Sequence, residues 1–531
     1  MDRDKTISIK YVVGIIFSLI GVISLSGCSN NSKKEIDLYK TEIKAVPTGD
    51  NTNIPSEVED EKNTLSLLTG EESYPINLNQ IGYRLNDKKI AAVNCDDGVD
   101  SYQVLDESGN TVFSGKLEGR RWDNVNNRMV KFADFSEFKT PGSYYIICGD
   151  DSFSDEFAIR EYVYDEFYKS IGDYFSEMKK KADLLSKKNN PDGIKAKLYE
   201  TGKMIDVTGG WYDLKERGQY VVDSCTTIAS LMLMYDNYKK LDLKEDEIAA
   251  LKPELVLQLV KQELQWLQKL QTREGGVYHK VTTSSHEGEL DRLYVFPVST
   301  CATADYAAVM ARAYGYYEKS DKKFANSCLT SAQKAWSFLQ NNKSNIIFSN
   351  PDKVTTAEFS DDDDRDERFW AAMELALTTK RSDYVNYMSE HLDTGFNIGF
   401  TWQMVAGYGL FNGLKEGKEI FSTQTYSNIK TIMDTRVKSI QNHVDTKNFQ
   451  VVYESSVTFQ TVISEATTLF LMGSYLKDAN LYSHAEVFLD YLMGANPYSE
   501  NYIGDPQQIT SLDMEYIAKM VVLLVGLNEV K

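Results

Sequence analysis

From Tyr74 to about Ile159, hydrophobic and polar positions alternate with a period of two. KIAAVNC, SYQVLD, TVFSGKL, RMVKFAD and SYYIICG each gather apolar side chains on one face, and Asp97-Gly98, Ser108-Gly109-Asn110 and Pro141-Gly142 separate them. Alternation broken by turn residues predicts short strands and a small antiparallel β-sandwich. Beyond Tyr164 the period lengthens to that of amphipathic helices. Runs at Glu247–Leu270, Ala302–Lys319, Lys323–Leu339, Glu367–Leu377, Val462–Lys477 and Tyr482–Met493 carry it. Strand-like segments are nearly absent there, so the larger domain reads as all-α, with helix pairs arranged as a toroid or bundle. Charges within these runs, such as Glu247 and Lys252, read as solvated faces.

The first residues follow a different pattern. Arg3, Lys5 and Lys10 precede an apolar run, Tyr11 to Leu25, that ends in Leu25-Ser26-Gly27-Cys28. This is the form of a bacterial lipoprotein signal over residues 1–28, cleaved before Cys28, whose thiol then carries lipid. An uncleaved anchor is the alternative, although the run is short for a spanning helix. Residues 29–73 are polar and poor in aromatics, the composition of a flexible tether. Two domains are expected after it, at 74–160 and 161–531. Either leader places them outside the cytoplasm, held at the membrane.

Composition narrows the partners. The 531 residues carry a formal charge of −20, with 42% hydrophobic and 12% aromatic residues. Such a balance argues against nucleic acid or an anionic membrane surface as the main partner and suits neutral ligands. Cys95, Cys148, Cys225, Cys301 and Cys328 are scattered without metal-ligand spacing, and no disulfide is assigned. Cys301 and Cys328 lie in apolar helical surroundings and read as small core residues. The histidines His279, His286, His391, His443 and His484 show no zinc spacing. His484 reads as structural, while His279 and His286 bracket a polar loop ahead of Tyr294 and are candidates to line a cleft. Asp361 to Asp364, Asp366 and Glu367 admit two readings, a solvated acidic turn or a calcium loop. No other cofactor is expected.

The candidate chemistry centres on Asp206 to Tyr220, DVTGGWYDLKERGQY. Gly209 and Gly210 permit a tight turn before two acidic side chains, Asp213 and Glu216. These either cap the helix that follows or form a carboxylate pair at the mouth of a helical scaffold. Trp211, Tyr212, Tyr294 and Trp402 are candidate sugar platforms, or else core.

Several segments resemble glycoside hydrolase family nine, in the branch with an immunoglobulin-like module ahead of the catalytic domain. INLNQIGYRLNDKKIAAV and DFSEFKTPGSYYIICGDDSFSDEFAI look like the opening and close of that module. GGWYDLKERGQYVVD is similar to GGWYDAGDYGKYV, and YVFPVSTCATADYAAVMARAYGYY to the serine-threonine-alanine helix of this branch. DRDERFWAAMEL resembles DE-x-x-WAA-x-EL, and FLDYLMGANPYSENYIG the late tyrosine–leucine–glycine–asparagine–proline element. LDMEYIAKMVVLLVGL fits the last helix, NEVAIDYNAPLVGALA, with Glu515 on the catalytic glutamate. The resemblance implies an immunoglobulin-like β-sandwich followed by an (α/α)6 barrel. It also implies hydrolysis of β-glycosidic bonds, usually β-1,4-glucan, with inversion.

Inversion needs a carboxylic acid on one side of the bond and a carboxylate base on the other, about 6.5–9.5 Å apart. On the resemblance Glu515 is the acid, in a helix whose apolar neighbours would raise its pKa by partial burial. Asp213 and Glu216 would share the base role. This chain departs from the family pattern at three places. Asp213-Leu214-Lys215-Glu216 replaces DAGD, and the longer glutamate shifts the base by about 1.5 Å. Eighteen positions separate Pro497 from Glu515, with no His or Arg in place of the family's His-His-Arg loop. Tyr453-Glu454-Ser455-Ser456 replaces WGSN. The expectation is a surface-anchored hydrolase, endoglucanase-like or exo-acting, of β-1,4-linked glucan or related β-oligosaccharides, with altered specificity. The alternative is a weakened or silent relative that binds glycans at the cell surface. The β-sandwich, with few clustered aromatics, reads as a buttress rather than a glycan site.

Overall fold

The computed structural model describes residues 76–95, 97–149, 152–212, 218–238, 253–285, 292–392, 395–454, 457–504 and 514–529. All lie in one compact unit, Glu59–Lys531. Cys28 and the tether lie outside the described residues, as do Asp213, Glu216, His286, Glu247 and Lys252.

The alternating segments form strands where their pattern places them. Strands Ser101–Asp106 and Arg128–Asp134 coincide with the sequence reading, and Gly142–Cys148 is shifted from it by one residue toward the N-terminus. Thr111–Asp123 is longer than its pattern. Its first half pairs antiparallel with Ser101–Asp106 and its second half with Arg128–Asp134, so one strand runs through both sheets. Among the described strands of the sandwich, pairing is antiparallel except for Gly82–Tyr83 beside Phe157–Ile159 and the parallel bridge between Ile76 and Ser154. Inward residues including Tyr83, Tyr102, Phe135, Ile146 and Phe157 fill the space between the sheets.

From Asp165 onward helices dominate, twelve among the described residues. They are α1 (Asp165–Leu184), α2 (Val221–Tyr238), α3 (Pro253–Leu267), α4 (Thr300–Tyr317), α5 (Lys322–Asn341) and α6 (Arg365–Thr379). Next come α7 (Ser382–Glu390), α8 (Ala406–Glu416), α9 (Thr423–Gln441), α10 (Phe459–Leu476), α11 (Ala479–Leu492) and α12 (Met514–Glu529). The even-numbered helices pack each on the next, and α12 packs on α2. The odd-numbered ones lie against them: α1 on α12, α3 on α2 and α4, α5 on α4 and α6, α7 on α6, α9 on α8 and α10, α11 on α10 and α12.

The two sets differ in sequence for a physical reason. Inner α4 is buried without a break from Thr300 to Ala311, and α6 from Asp366 to Leu377, because neighbours cover them on every side. Outer α5 buries only Phe324, Ala325, Cys328, Ala332, Ala335, Trp336 and Leu339, the single stripe of an amphipathic helix. Hydroxyl and carboxyl caps fix several starts. Ser299 accepts from the Ala302 amide before α4, and Thr458 from the Thr461 amide before α10.

Two expectations change. Helices α1, α7, α8 and α9 lack a run the periodicity singles out. In α8, AGYGLFNGLKE, glycines stand where side chains would break the packing: a Cβ at Gly407 would lie 2.1 Å from the Gly399 carbonyl oxygen. The strand-poor reading of the larger domain is also corrected. A five-stranded sheet runs in the order 204–206, 195–198, 294–295, 280–282 and 219–220. Strands of two to four residues are too short to show a period of two.

The sandwich is tied to the helices through the NQIGYR segment. The Asn79 side chain donates to Asp490 Oδ1 (2.7 Å), the Gln80 amide donates to the Met493 carbonyl (2.8 Å), and Arg84 pairs with Glu486 (2.7 Å). Gly494, at φ +116°, allows this approach, since a Cβ there would lie 2.8 Å from the Leu78 carbonyl oxygen and from Gln80.

Candidate active site

The Gly-Gly-Trp loop is held from below by a carboxyl that its own sequence does not contain. Glu263 of α3, fully buried, accepts the Trp211 amide hydrogen on Oε2 (2.6 Å) and the Ser224 hydroxyl on Oε1 (2.9 Å). Burial pushes the Glu263 carboxyl up to about 8, against the lowering effect of both bonds. Gly210 has φ +83°, and a Cβ on it would meet the Trp266 ring at 2.5 Å, so glycine is required twice over. Gln219 closes the turn by donating to the Gly209 carbonyl (2.8 Å). The turn predicted at Gly209-Gly210 is present. Asp213 and Glu216, which follow it, lie outside the described residues.

Glu515 occupies the first turn of α12. The sequence suggested partial burial in apolar surroundings. The structure differs: Glu515 is 1% exposed, and its Oε1 accepts from Nζ of Lys519, equally buried one helical turn later. Hydrocarbon and charge both surround this carboxyl, so burial alone does not define its state.

Around it the first two turns of other even-numbered helices bring further acids together. Asp305 of α4 and Glu367 of α6 are fully buried, and none of their carboxyl oxygens takes a hydrogen bond from a donor group. Burial holds both far above the usual carboxylate range, reinforced chiefly by the neighbouring charge of Asp366. Glu515 adds to the field at Asp305. Asp366 accepts the Val405 amide hydrogen at the start of α8 (2.9 Å), and burial pushes it up to about 6. Between Asp366 and Glu367, acceptor meets acceptor, and the two bond only when one carries a proton. Asp361 is likewise pushed up to about 6 by burial.

The solvated-turn reading of the 361–367 stretch holds for Asp362, which is exposed, and for Asp363, which pairs with exposed Arg365, and is corrected for the acids that follow. Asp364, Asp366 and Glu367 are buried, and Asp364 pairs with Arg368 at 2.9 Å. Local charge density suggested solvent, but the helix start points these side chains inward. Among the described residues no three His, Cys, Asp or Glu side chains are grouped to hold a metal ion. Asp305 was missed by the sequence reading, although a lone acid inside an alanine-rich buried helix is the signal that could have found it.

The aromatic candidates divide. Trp211 is 4% exposed and packs into the core, which corrects its reading as a sugar platform, because an enclosed indole presents no face. Trp402 is half-buried and meets Phe359 edge to face at 5.3 Å; Phe359 in turn lies 4.9 Å from Tyr220. Tyr294 is half-buried on the small sheet, 5.6 Å from the exposed ring of Tyr199. Tyr212 is half-buried with the Lys181 ammonium 5.7 Å from its ring. His279 does not line a cleft. It is buried against Phe348, bonded to Ser299 and the Glu358 carbonyl, and burial drops its pKa to about 3.

Comparison with known proteins fits these features. A family model described as glycosyl hydrolase family 9 matches residues 170–507, and one for a cellulase N-terminal Ig-like domain matches residues 71–152. The chain belongs to glycosyl hydrolase family 9. It is 33% identical over 332 residues to a cellodextrinase of Butyrivibrio fibrisolvens, a match covering 59% of this chain and 60% of that relative. It is 27% identical over 465 residues to endoglucanase D of Acetivibrio thermocellus, covering 81% and 72%. The fold is similar to that of a thermostable endoglucanase of Alicyclobacillus acidocaldarius, with a TM-score of 0.69 at 21% identity over 86% of this chain and all of that one.

Proposed function

We propose that this protein is an inverting hydrolase of β-1,4-linked glucan or related β-oligosaccharides, with Glu515 as general acid and Asp213 and Glu216 sharing the base role. We read the even-numbered helices as the inner ring of an (α/α)6 barrel and the odd-numbered ones as its outer ring. Support for that reading comes from the succession of helix contacts, which returns from α12 to α2. One observation carries the catalytic assignment. Glu515 starts α12, and α12 packs on α2, the helix that the Gly-Gly-Trp loop leads into. A sugar chain entering at that end would meet an acid from one helix and the loop carboxylates from the next. The base would draw a proton from water as that water attacks the anomeric carbon, and the acid would protonate the departing oxygen. The absence of the His-His-Arg loop and the name of one relative, a cellodextrinase, support short oligosaccharides as substrates, whereas the endoglucanase relatives support β-glucan. The leader and Cys28 support anchoring to the outer face of the membrane by lipid.

Reducing-sugar release from β-glucan, cello-oligosaccharides and chito-oligosaccharides tests the proposal, with Glu515→Gln as control. The variant should lose on the order of a hundred- to ten-thousandfold in kcat while remaining folded. The rival reading, a silent glycan-binding relative, draws on the Glu515–Lys519 pair and the rewritten DLKE motif. Equal inactivity of wild type and variant, with glycan binding retained by both, would establish the rival.

A further inference from the structure

Glu515 meets an ammonium, and both groups are nearly inaccessible to water. Lys519 lies one turn along α12, its Nζ donates to Glu515 Oε1, and each side chain is 1% exposed. The Lys519 ammonium also lies 5.4 Å from the Tyr516 ring. A surface pair of this kind would contribute little, but a buried pair has two forms of comparable standing. Attraction favours ammonium with carboxylate, while removal from water favours amine with carboxylic acid, which carries no separated charge.

We propose that Lys519 is a positioning residue for Glu515 and that the two side chains hold a single proton between them, so that the pair, not the carboxyl alone, is the acid of the site. This rests on the reading of Glu515 as general acid. In the neutral form Glu515 carries the proton. As the glycosidic C–O bond breaks, its electron pair goes to the departing oxygen and takes that proton, leaving the carboxylate beside the Lys519 amine. The water that forms the new C–O bond gives its proton to the base on the far face. Exchange with solvent then returns one proton to the pair and removes one from the base. The surroundings suit the arrangement, since burial weakens Lys519's hold on its proton against the pull of Glu515.

Among the described residues the groups facing the pair include Asp223 on α2, Asp305 on α4 and Tyr408 on α8, with Asp361, Asp366 and Glu367 behind Asp305. On α10, Glu465 is turned to Arg436 and His443; on α11, Glu486 is held by Arg84; α1 meets α12 through the Tyr168 hydroxyl at the Leu524 carbonyl. Among the described residues Lys519 is a cation that touches Glu515.

The test compares Lys519→Arg and Lys519→Met in the full chain, using pH–rate profiles on cello-oligosaccharides and thermal unfolding. Arginine preserves an ion pair but does not release its proton. Lys519→Arg should therefore unfold like wild type yet lose on the order of a hundredfold in kcat with KM little changed. Lys519→Met should lose kcat as well, and its alkaline limb should move down by about one pH unit or more, because the last proton then belongs to a carboxyl. The effects of Glu515→Gln and Lys519→Met on unfolding should be non-additive. Wild-type kcat and pH profile in Lys519→Arg would overturn the inference. Should that variant not fold, an unmoved profile in Lys519→Met would do the same. Additive unfolding effects in an active enzyme would overturn this inference alone, whereas a wild type inactive on every β-glucan would overturn the proposed function and the pair's catalytic role with it.

Discussion

The two ends of the inner helices treat acidic side chains in opposite ways. At the starts of α2, α4, α6 and α12 the described residues include Asp223, Asp305, Asp366, Glu367 and Glu515, with Lys519 among them. At the other end stand Asp236, Glu374 and Glu416, each beside a base. Arg312 grips both oxygens of Glu416 at 2.7 and 2.8 Å and reaches Asp236 at 3.6 Å and Glu374 at 3.9 Å; Lys415 binds Asp236 at 3.0 Å. Helix polarity accounts for part of the contrast. N-termini carry partial positive charge and tolerate acids, whereas C-termini favour cations. The remainder is purpose. Carboxyls such as Asp236 and Glu416, bound by Lys415 and Arg312, hold helices together, while the deeply buried ones at either end, Asp305, Glu367 and Glu374, are raised by burial and retain protons.

That contrast can be broken experimentally, most severely at Arg312. Arg312→Met strands Glu374 and Glu416 at the far end and should cost about 3–5 kcal/mol in urea unfolding. Adding Glu374→Gln should recover part of that loss. A cost below about 1 kcal/mol would show that the far-end pairs do not support the helix packing. At the loop end, Gly210→Ala forces a side chain into the Trp266 ring at positive φ and should cost about 1–3 kcal/mol, read in the same way, with kcat falling as the loop shifts.

The smallest effects are those of protonation, and their sign follows from the direction of the shifts. Burial raises Asp361 and Asp366 from 3.8 to about 6 and Glu374 from 4.5 to about 7 in the folded chain. The folded state then binds more protons than the unfolded one over that range. Their contribution is fully present below the unfolded values and is lost as pH rises through the folded ones. Tm should fall as pH is raised from about 5 to 8. Asp305→Asn removes a carboxyl raised in the same direction, so it should leave Tm almost unchanged near pH 4 and raise it at pH 8. Unchanged Tm at pH 8 would show that Asp305 shares in no such balance.

Much of this was legible from residues alone. Strand periodicity located the sandwich segments closely, because each strand packs one face and exposes the other. The long helices were found to within a few residues wherever an apolar stripe ran unbroken. Helix α8 escaped because its glycines serve close packing on α6 and leave no stripe. The short strands at 195–198 and 280–282 escaped because pairing, not periodicity, makes them strands.

At the site, Gly209-Gly210 declared its turn and Glu515 its helix. Trp211 did not declare its burial, nor Asp364, Asp366 and Glu367 theirs. A side chain's exposure is settled by whatever packs over it, and for Trp211 that includes Glu263, 52 positions away.

By itself, then, the sequence determined the sandwich strands, the helices that carry an apolar stripe and where a carboxyl would begin the final helix, since those outcomes follow from local spacing and turn chemistry. Only the tertiary structure decided that Asp305 and Glu367 share a water-poor space near Glu515, that Lys519 pairs with it, and that Arg312 neutralises the far end. Those outcomes depend on desolvation and Coulomb interaction between groups that helix packing, not sequence proximity, brings together.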